Sequence, residues 1–446
     1  MVSMSFAPVP SGVTAKPIPG ERGLPVLGVS GKMMRDPLGL RQEQYERHGP
    51  VNWFQAFGMR QVGLLGPDAA ELVAINRDKA FGQGWEPILG TFFPKGVLLL
   101  DFEEHLHRRR LMQNTFSPER LGGYLRRMQT GITRDVRGWR PGARFLAREA
   151  VHDTLLNVST GTFLDIGNPG DAARVGEAFV NTVRGPYTMM RLPLPGTQWS
   201  KALRGRRLLE EYTASQIPAK HAGDGDDVFS ALCHSRDEQG HGLSEEDLVN
   251  QIIFLMMAAH ETTTSALSSM IYFLGRHPEW QDRLREESLS LDEQLDLKDL
   301  DQLATCDMVM KESVRRFPPI SELARRTVKD TEVHGHFIPA GTAVSVSVLF
   351  NHHMEEYWPD PMTWDPGRFA ADRREDKSHR FAWTPFGGGV HKCIGLHFAS
   401  LQIKAVMHQL VRNFSWRLPE GYRLRTDWSG PPAPKDGLPV VLSRIG

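Results

Sequence analysis

The stretch from Ser244 to Pro278, SEEDLVNQIIFLMMAAHETTTSALSSMIYFLGRHP, constrains the fold more than any other part of the chain. Ser244 with Asp247 three residues on is an N-terminal helix cap, and Gly275 with Pro278 is a stop signal. A helix of about thirty residues between them spans on the order of 50 Å at 1.5 Å per residue, enough to cross a whole domain. Its first half, IIFLMMAA (252–259), is apolar on every side, the pattern of a helix buried all round. A membrane span needs roughly 20 such residues, and here His260 and Glu261 interrupt the run. The next residues place a carboxylate and three threonines at the centre of a buried helix. That is costly, because the charge loses water and the hydroxyls bond back to preceding carbonyls. A satisfied polar network or an exposed turn is the ordinary explanation. An acid and an alcohol side by side, Glu261 and Thr262, also form a pair that can pass protons into a dry cavity, and on a core-crossing helix that reading is favoured.

Composition supports a large folded protein. The chain has 446 residues and is 40% hydrophobic, enough to fill a substantial core. Lys plus Arg and Asp plus Glu are 53 each, so no global charge favours nucleic acid or an anionic membrane. Three cysteines, Cys233, Cys306 and Cys393, lie far apart, which fits a reducing compartment without a disulfide framework. Residues 1–28 contain five prolines and no apolar run of signal-peptide or anchor length; they are expected to form an extended lead-in over the surface. A cytoplasmic protein without a membrane anchor follows.

VNWFQAFGMRQVGLL (51–65) reads as a hairpin around Phe57-Gly58-Met59, and PDAAELVAI (67–75) as a helix opened by proline. Residues 82–101 mix Gly, Pro and aromatics without a period, as a pocket-covering or buried loop does. From about 103 to 320 the pattern is mostly helical. TEVHGHFIPAGTAVSVSVLF (331–350) reads as short strands joined by a Gly-Pro turn, 351–385 as a polar meander rich in Trp and Pro, and 393–413 as a final helix. No repeat and no linker is visible, so the expectation is one mainly α domain, 1–446, with a small β portion.

In DLDQLATCDMVMKESVRRFPP, Glu312 and Arg315 share a helix face before Phe317-Pro318-Pro319 ends it. Such a pair is usually a solvated ion pair of little consequence. Here the chain continues through strands to WDPGRF, where Arg368 can complete a buried Arg-Glu-Arg cluster that fixes the meander.

Near the C-terminus, FGGGVHKCIG (386–395) puts a cysteine in the most flexible backbone of the chain. A phosphate loop would need Ser or Thr after Lys392, and a dinucleotide loop a glycine where Lys392 stands. An iron-sulfur cluster wants four thiolates, and covalent haem a C-x-x-C-H motif. Two readings remain. His391, Cys393 and His397 could form part of a zinc site, although no second ligand cluster completes it. Alternatively, Cys393 is a single thiolate ligand to haem iron, with glycines allowing close approach and amide N–H groups and a helix N-terminus facing the sulfur.

The pattern F-x-x-G-x-H-x-C-x-G at 386–395 resembles the signature loop of the cytochrome P-450 haem-thiolate monooxygenases. AAHETT (258–263), ESVR (312–315), PGRF (366–369) and HLHRR (105–109) follow the family's landmarks, and the resemblance covers nearly the whole chain. It implies the triangular helical prism of that family and a haem b cofactor. Cys393 would be the iron ligand, with Phe386 packed beside it and Gly395 in the cofactor loop. His105, Arg109, Arg325 and His391 would neutralise the haem propionates, with Arg108, Arg110 and Arg326 as competing registers. Glu261 and Thr262 would deliver protons, and Glu312, Arg315 and Arg368 would form a structural triad. Two positions depart from the family pattern: Ala259 stands near a common Gly, and Gly367 replaces the usual Glu before Arg368.

The activity implied is insertion of one oxygen atom of dioxygen into a lipophilic small molecule of terpenoid, steroid, fatty-acid or polyketide type. Nothing resembles a flavin or iron-sulfur module. Electrons from NAD(P)H would therefore arrive through a ferredoxin and ferredoxin reductase, or a flavodoxin-type donor. The candidate pocket residues are Trp85, Ile88, Leu89, Phe92, Phe93, Phe254, Met257, Ala258, Ile320 and Leu323, each more safely read as core until seen to face a cavity. The alternatives are a hydrogen-peroxide-driven peroxygenase, which needs no proton-delivery pair, and a haem-binding sensor or carrier without turnover.

Overall fold

A computed structural model gives the fold and describes residues 5–188 and 190–445. The chain forms two compact units. The first comprises the residues up to Trp85, Lys311–Cys393 and Thr426–Ala433. Its centre is a six-stranded sheet in the order Gly20–Glu21, Val51–Ala56, Met59–Leu64, Ala343–Ser347, Glu322–Thr327, Phe81–Gln83. The hairpin closes through two residues, with Ala56 opposite Met59 and positive φ at Phe57 (50°) and Gly58 (76°). Positive φ at both central positions matches the twist of the flanking strands. The sheet buries Val51, Trp53, Val62, Leu64, Val344 and Val346 against the helix Pro67–Ile75, whose bounds are those read from the sequence.

The lead-in is extended but not purely superficial. Ile18 is buried in this core, and Gly20–Glu21 pairs in parallel with Trp53 and Phe54. Thr331–Val333 and His336–Ile338 form the expected strands, yet the turn between them is His334-Gly335, both at positive φ, and not a proline turn. Ala343–Ser347 leaves that hairpin to join the large sheet.

The second unit comprises Glu86–Met310, Ile394–Arg425 and Pro434 onward. Its axis is the 32-residue helix Glu245–Arg276, packed against the helices Ala147–Ser159, Gln198–Ala222 and Leu396–Asn413. Ser244 Oγ accepts from the Asp247 N–H at 3.1 Å, and Glu245, Glu246 and Asp247 place negative charge on the first turn, where the helix dipole favours it. Pro278 stops the helix by opening the next one, Pro278–Leu289. One strand, Gly142–Leu146, interrupts the region read as helical. It pairs with Pro439–Arg444, which also pairs with Phe414–Arg417. The final helix starts at Leu396 rather than Cys393, because the Cys393 N–H donates to the Phe386 carbonyl at 2.8 Å and holds the loop out of helical geometry. Among the described residues, no helix is long and apolar enough to cross a membrane.

Candidate active site

In the first unit, Phe386–Cys393 forms a tight loop against the helix Pro67–Ile75. Gly387 and Gly389 take positive φ of 68° and 62°. A Cβ at Gly389 would lie 1.9 Å from the Ala74 carbonyl oxygen, and one at Gly388 would lie 2.6 Å from the Phe381 ring. Glycine is therefore required here for both conformation and space. Cys393 is exposed, whereas Cys233 and Cys306 are buried. Burial pushes the Cys233 thiol up to about 11 and the Cys306 thiol up to about 12. Thiolate formation is thus suppressed at Cys233 and Cys306. Phe386 sits edge-on to Trp383 at 6.1 Å.

The structure brings Glu312, Arg315 and Arg368 together, all buried. Arg315 Nε and Nη2 donate to the two Glu312 oxygens at 2.7 and 2.8 Å, and Arg368 Nε stands 3.6 Å from Glu312 Oε1. The remaining donors reach the meander: Arg315 to the carbonyls of His352, Pro361 and Thr363, and Arg368 to those of Pro359 and Asp360. Gly367, where the family pattern has Glu, donates its N–H to Asp365 Oδ1, while Glu375 bonds Arg368 Nη1 at 2.7 Å. His352 links this cluster toward the cysteine loop. Its Nδ1–H donates to the Arg315 carbonyl at 3.2 Å and its Nε2 accepts from the Thr384 N–H at 2.9 Å. Burial, reinforced by the Arg315 charge, holds this imidazole neutral, down to about 3.

The cation candidates separate by environment. Arg325 is buried on the strand Glu322–Thr327, with Nη1 donating to Gln83 Oε1 and the Ala324 carbonyl, whereas Arg326 is exposed. His391 is half-buried. In the second unit, the helix Phe102–Gln113 carries a buried His105 and, one turn on, a half-buried Arg109. Arg108 is committed to Asp247 at 2.5 Å and Arg110 is exposed.

Between Leu248 and Leu274 the long helix is buried everywhere except at Gly-free positions Ala258, Ala259, Glu261 and Thr262. Glu261 and Thr262 among them are the residues read as the proton-delivery pair. The acid and the alcohol do not bond each other. Neighbouring helical side chains diverge by about 100°, and Thr262 Oγ1 donates back to the Ala258 carbonyl at 2.7 Å. Glu261 instead faces the helix Ala147–Ser159, with Oε2 at 3.8 Å from Arg148 Nη2 and Oε1 at 3.9 Å from His152 Nε2. Burial alone would raise its pKa, but His260, Arg148 and His152 outweigh that and hold the carboxyl down to about 2. His152 and Arg148 carry no sequence signal, since they are distant in the chain and lie in an ordinary helix.

The apolar candidates divide. Leu89, Phe92, Phe93, Phe254 and Met257 are buried, and Phe92 packs edge-on against Trp199 at 4.9 Å as a core residue does. Trp85, Ile88, Ala258, Ile320 and Leu323 are half-buried, with Leu323 packed on the sheet core.

The profile of the cytochrome P-450 family matches residues 18–429, and the chain belongs to that family. It is 42% identical over 446 residues to the Mycobacterium tuberculosis (strain ATCC 25618 / H37Rv) chain named cytochrome P-450 136, covering 98% of this chain and 90% of that one. Cytochrome P-450 120 of Synechocystis is 29% identical over 443 residues, covering 98% and 99%. The solved structure described as "Retinoic acid bound cyanobacterial CYP120A1" superimposes with a TM-score of 0.87 at 27% identity, covering 96% of this chain and 98% of that one. The chain is therefore a cytochrome P-450 monooxygenase with the mainly helical fold of the family and haem b as cofactor. It draws electrons from a redox partner and acts on a lipophilic substrate.

Proposed function

We propose that Cys393 is the thiolate ligand of the haem iron and that the substrate is a terpenoid-like lipophile. The observation that carries the first part is the exposed thiol on a loop whose Gly388 and Gly389 admit no Cβ. Haem b bound there supplies dioxygen activation and transfer of one oxygen atom, with electron donation by the thiolate favouring O–O cleavage. The residues fit that group. Arg325 and His391 of the first unit, and His105 and Arg109 of the second, would be the cations and donors for its carboxylates. Thr262 and Glu261 are the proton-delivery pair. Glu261 is the acid of that pair, and the Thr262 hydroxyl, which donates to the Ala258 carbonyl, is its alcohol.

The substrate class rests on the half-buried apolar residues Ile88 and Ala258 and on the relative solved with retinoic acid. A ferredoxin with its NAD(P)H-dependent reductase, or a flavodoxin-type donor, supplies the electrons. The protein works in the cytoplasm. Two measurements on the haem-loaded enzyme test this reading. Titration with retinoic acid and other terpenoids should shift the spin state of the absorption spectrum, and an inert spectrum across the set refutes the substrate class. Thr262→Ala should lower product formed per NAD(P)H oxidised by at least about tenfold, a modest share of what general acid catalysis supplies. Unchanged coupling removes Thr262 and Glu261 from proton delivery and favours a peroxide-driven reaction.

A further inference from the structure

We propose that His152, His260 and Glu261 form a binding site for a divalent transition-metal ion, with zinc as the natural probe. The argument starts from what fixes each ring. His260 is fully buried on the long helix, and its Nε2 lies 3.1 Å from the His152 carbonyl oxygen. A carbonyl only accepts, so Nε2 carries the hydrogen and Nδ1 of the neutral ring is a lone pair. His152 Nδ1 lies 3.1 Å from Asp153 Oδ1. A carboxylate likewise accepts, so the lone pair of His152 is on Nε2. Both lone pairs face the same carboxylate oxygen: His260 Nδ1 is 3.5 Å and His152 Nε2 is 3.9 Å from Glu261 Oε1. With both rings neutral, three acceptors converge, and His260 Nδ1 is buried without a hydrogen-bond partner. Only a positive occupant, a proton or a metal ion, makes such an arrangement favourable.

The geometry favours the metal. The ligand atoms of the three residues all lie within 4.8 Å of one another. Four-coordinate zinc with bonds of about 2.0–2.1 Å separates its ligands by about 3.3 Å, so a small swing of the half-buried His152 closes the set. The non-ligating nitrogens are held by a backbone carbonyl and a carboxylate, the supports that orient histidines at metal centres. The rings already stack edge-on at 4.6 Å, and Phe179 packs at 5.5 Å on the far partner, His260. Among the described residues, Arg148 is the one Arg or Lys against the carboxylate, and it addresses Oε2, leaving Oε1 to the imidazoles. Two imidazoles and one carboxylate suit zinc, copper or nickel over magnesium or calcium, which prefer all-oxygen sets.

The site itself stands on geometry within one unit. Its effect on turnover rests on the proposed role of Glu261: a bound ion would occupy the oxygen that has to accept protons, and would uncouple the reaction. The test uses haem-loaded enzyme treated with chelator and then titrated with zinc chloride by calorimetry, with bound zinc counted after gel filtration. Wild type should bind one more equivalent than His152→Ala, or bind it at least about a hundredfold more tightly, beyond the ten- to hundredfold typical of losing a supporting residue. The isosteric Glu261→Gln should show the same loss, which keeps the test decisive should His152→Ala fold poorly. Equal stoichiometry and affinity in wild type and both variants overturns the proposal and leaves a shared proton as the occupant. In turnover, zinc should lower product per NAD(P)H in wild type and not in His152→Ala. Zinc bound at these residues without a change in coupling upholds the metal site and refutes proton delivery through Glu261.

Discussion

Replacing Arg315 with alanine removes five hydrogen bonds at once: two to Glu312 and one each to the carbonyls of His352, Pro361 and Thr363. Some acceptors keep a second donor. Pro361 retains Arg316 Nη1 at 2.8 Å, Thr363 retains Arg368 Nη2 at 3.5 Å, and Glu312 retains the Asp365 N–H at 3.0 Å and Arg368 at 3.6 Å. The Glu312 carboxylate nevertheless stays fully buried and loses its bidentate partner. Breaking a buried pair costs about 3–5 kcal/mol, and a buried carbonyl deprived of its donor about 1–3 kcal/mol more. The expected loss of about 4–8 kcal/mol is comparable with the whole stability of many proteins, about 5–15 kcal/mol. Urea unfolding of the haem-loaded protein, followed by tryptophan fluorescence and far-ultraviolet circular dichroism, should therefore show Arg315→Ala barely folded or unfolding at a much lower midpoint. Pairing Arg315→Met with Glu312→Gln should cost less than the two single changes together, because neither partner is then left charged and alone. A loss below about 1 kcal/mol for Arg315→Ala would refute the reasoning, since an exposed ion pair is worth that little.

Acid should weaken the fold through its buried histidines. Burial and the Arg315 charge depress His352 to about 3, and burial and Arg412 depress His408 to about 4, from an unfolded value near 6.5. The unfolded chain protonates first, so this stability is complete above pH 6.5 and is lost as pH falls through the window toward 4, at about 1.4 kcal/mol per unit for each histidine. Urea midpoints at pH 7 and pH 5.5 measure the loss. His408→Gln should flatten the dependence, and an unchanged slope contradicts it. At Gly389 an added Cβ meets a backbone carbonyl at 1.9 Å, while at Gly421, also at positive φ, it meets nothing within 4 Å. Gly389→Ala should therefore lower haem content and thermal midpoint clearly more than Gly421→Ala, whose cost is the αL strain of about 1 kcal/mol; equal effects would show that the loop has room to spare.

What was legible in the sequence was local chemistry. Ser244, Asp247 and Pro278 delimit the long helix because caps and prolines act within a turn, and the hairpin at Phe57-Gly58 follows from alternating apolar residues around a turn signal. The i,i+3 spacing of Glu312 and Arg315 places them on one helix face, and the guanidinium of Arg368 completes the cluster as the meander folds back. Pairings set by distant partners were not legible. Gly142–Leu146 is a strand because Pro439–Arg444 lies beside it, and nothing in GARFL alone distinguishes it from the helices around it. The start of the last helix was misplaced because the bond from Cys393 to Phe386 is a property of the closed loop. Glu261 stands out as a carboxylate in a buried helix, but its partners Arg148 and His152 come from another helix, and their meeting is a product of packing.

The central claim is that Cys393 alone among the three cysteines carries the iron. The direct measurement is the absorption spectrum of the purified protein, reduced and exposed to carbon monoxide, for wild type and for Cys393→Ala, Cys233→Ala and Cys306→Ala. The account predicts the red-shifted Soret band of a thiolate-ligated haem in wild type and in the Cys233 and Cys306 variants, and its loss in Cys393→Ala. A thiolate band that survives Cys393→Ala, or that disappears with Cys233 or Cys306, contradicts it.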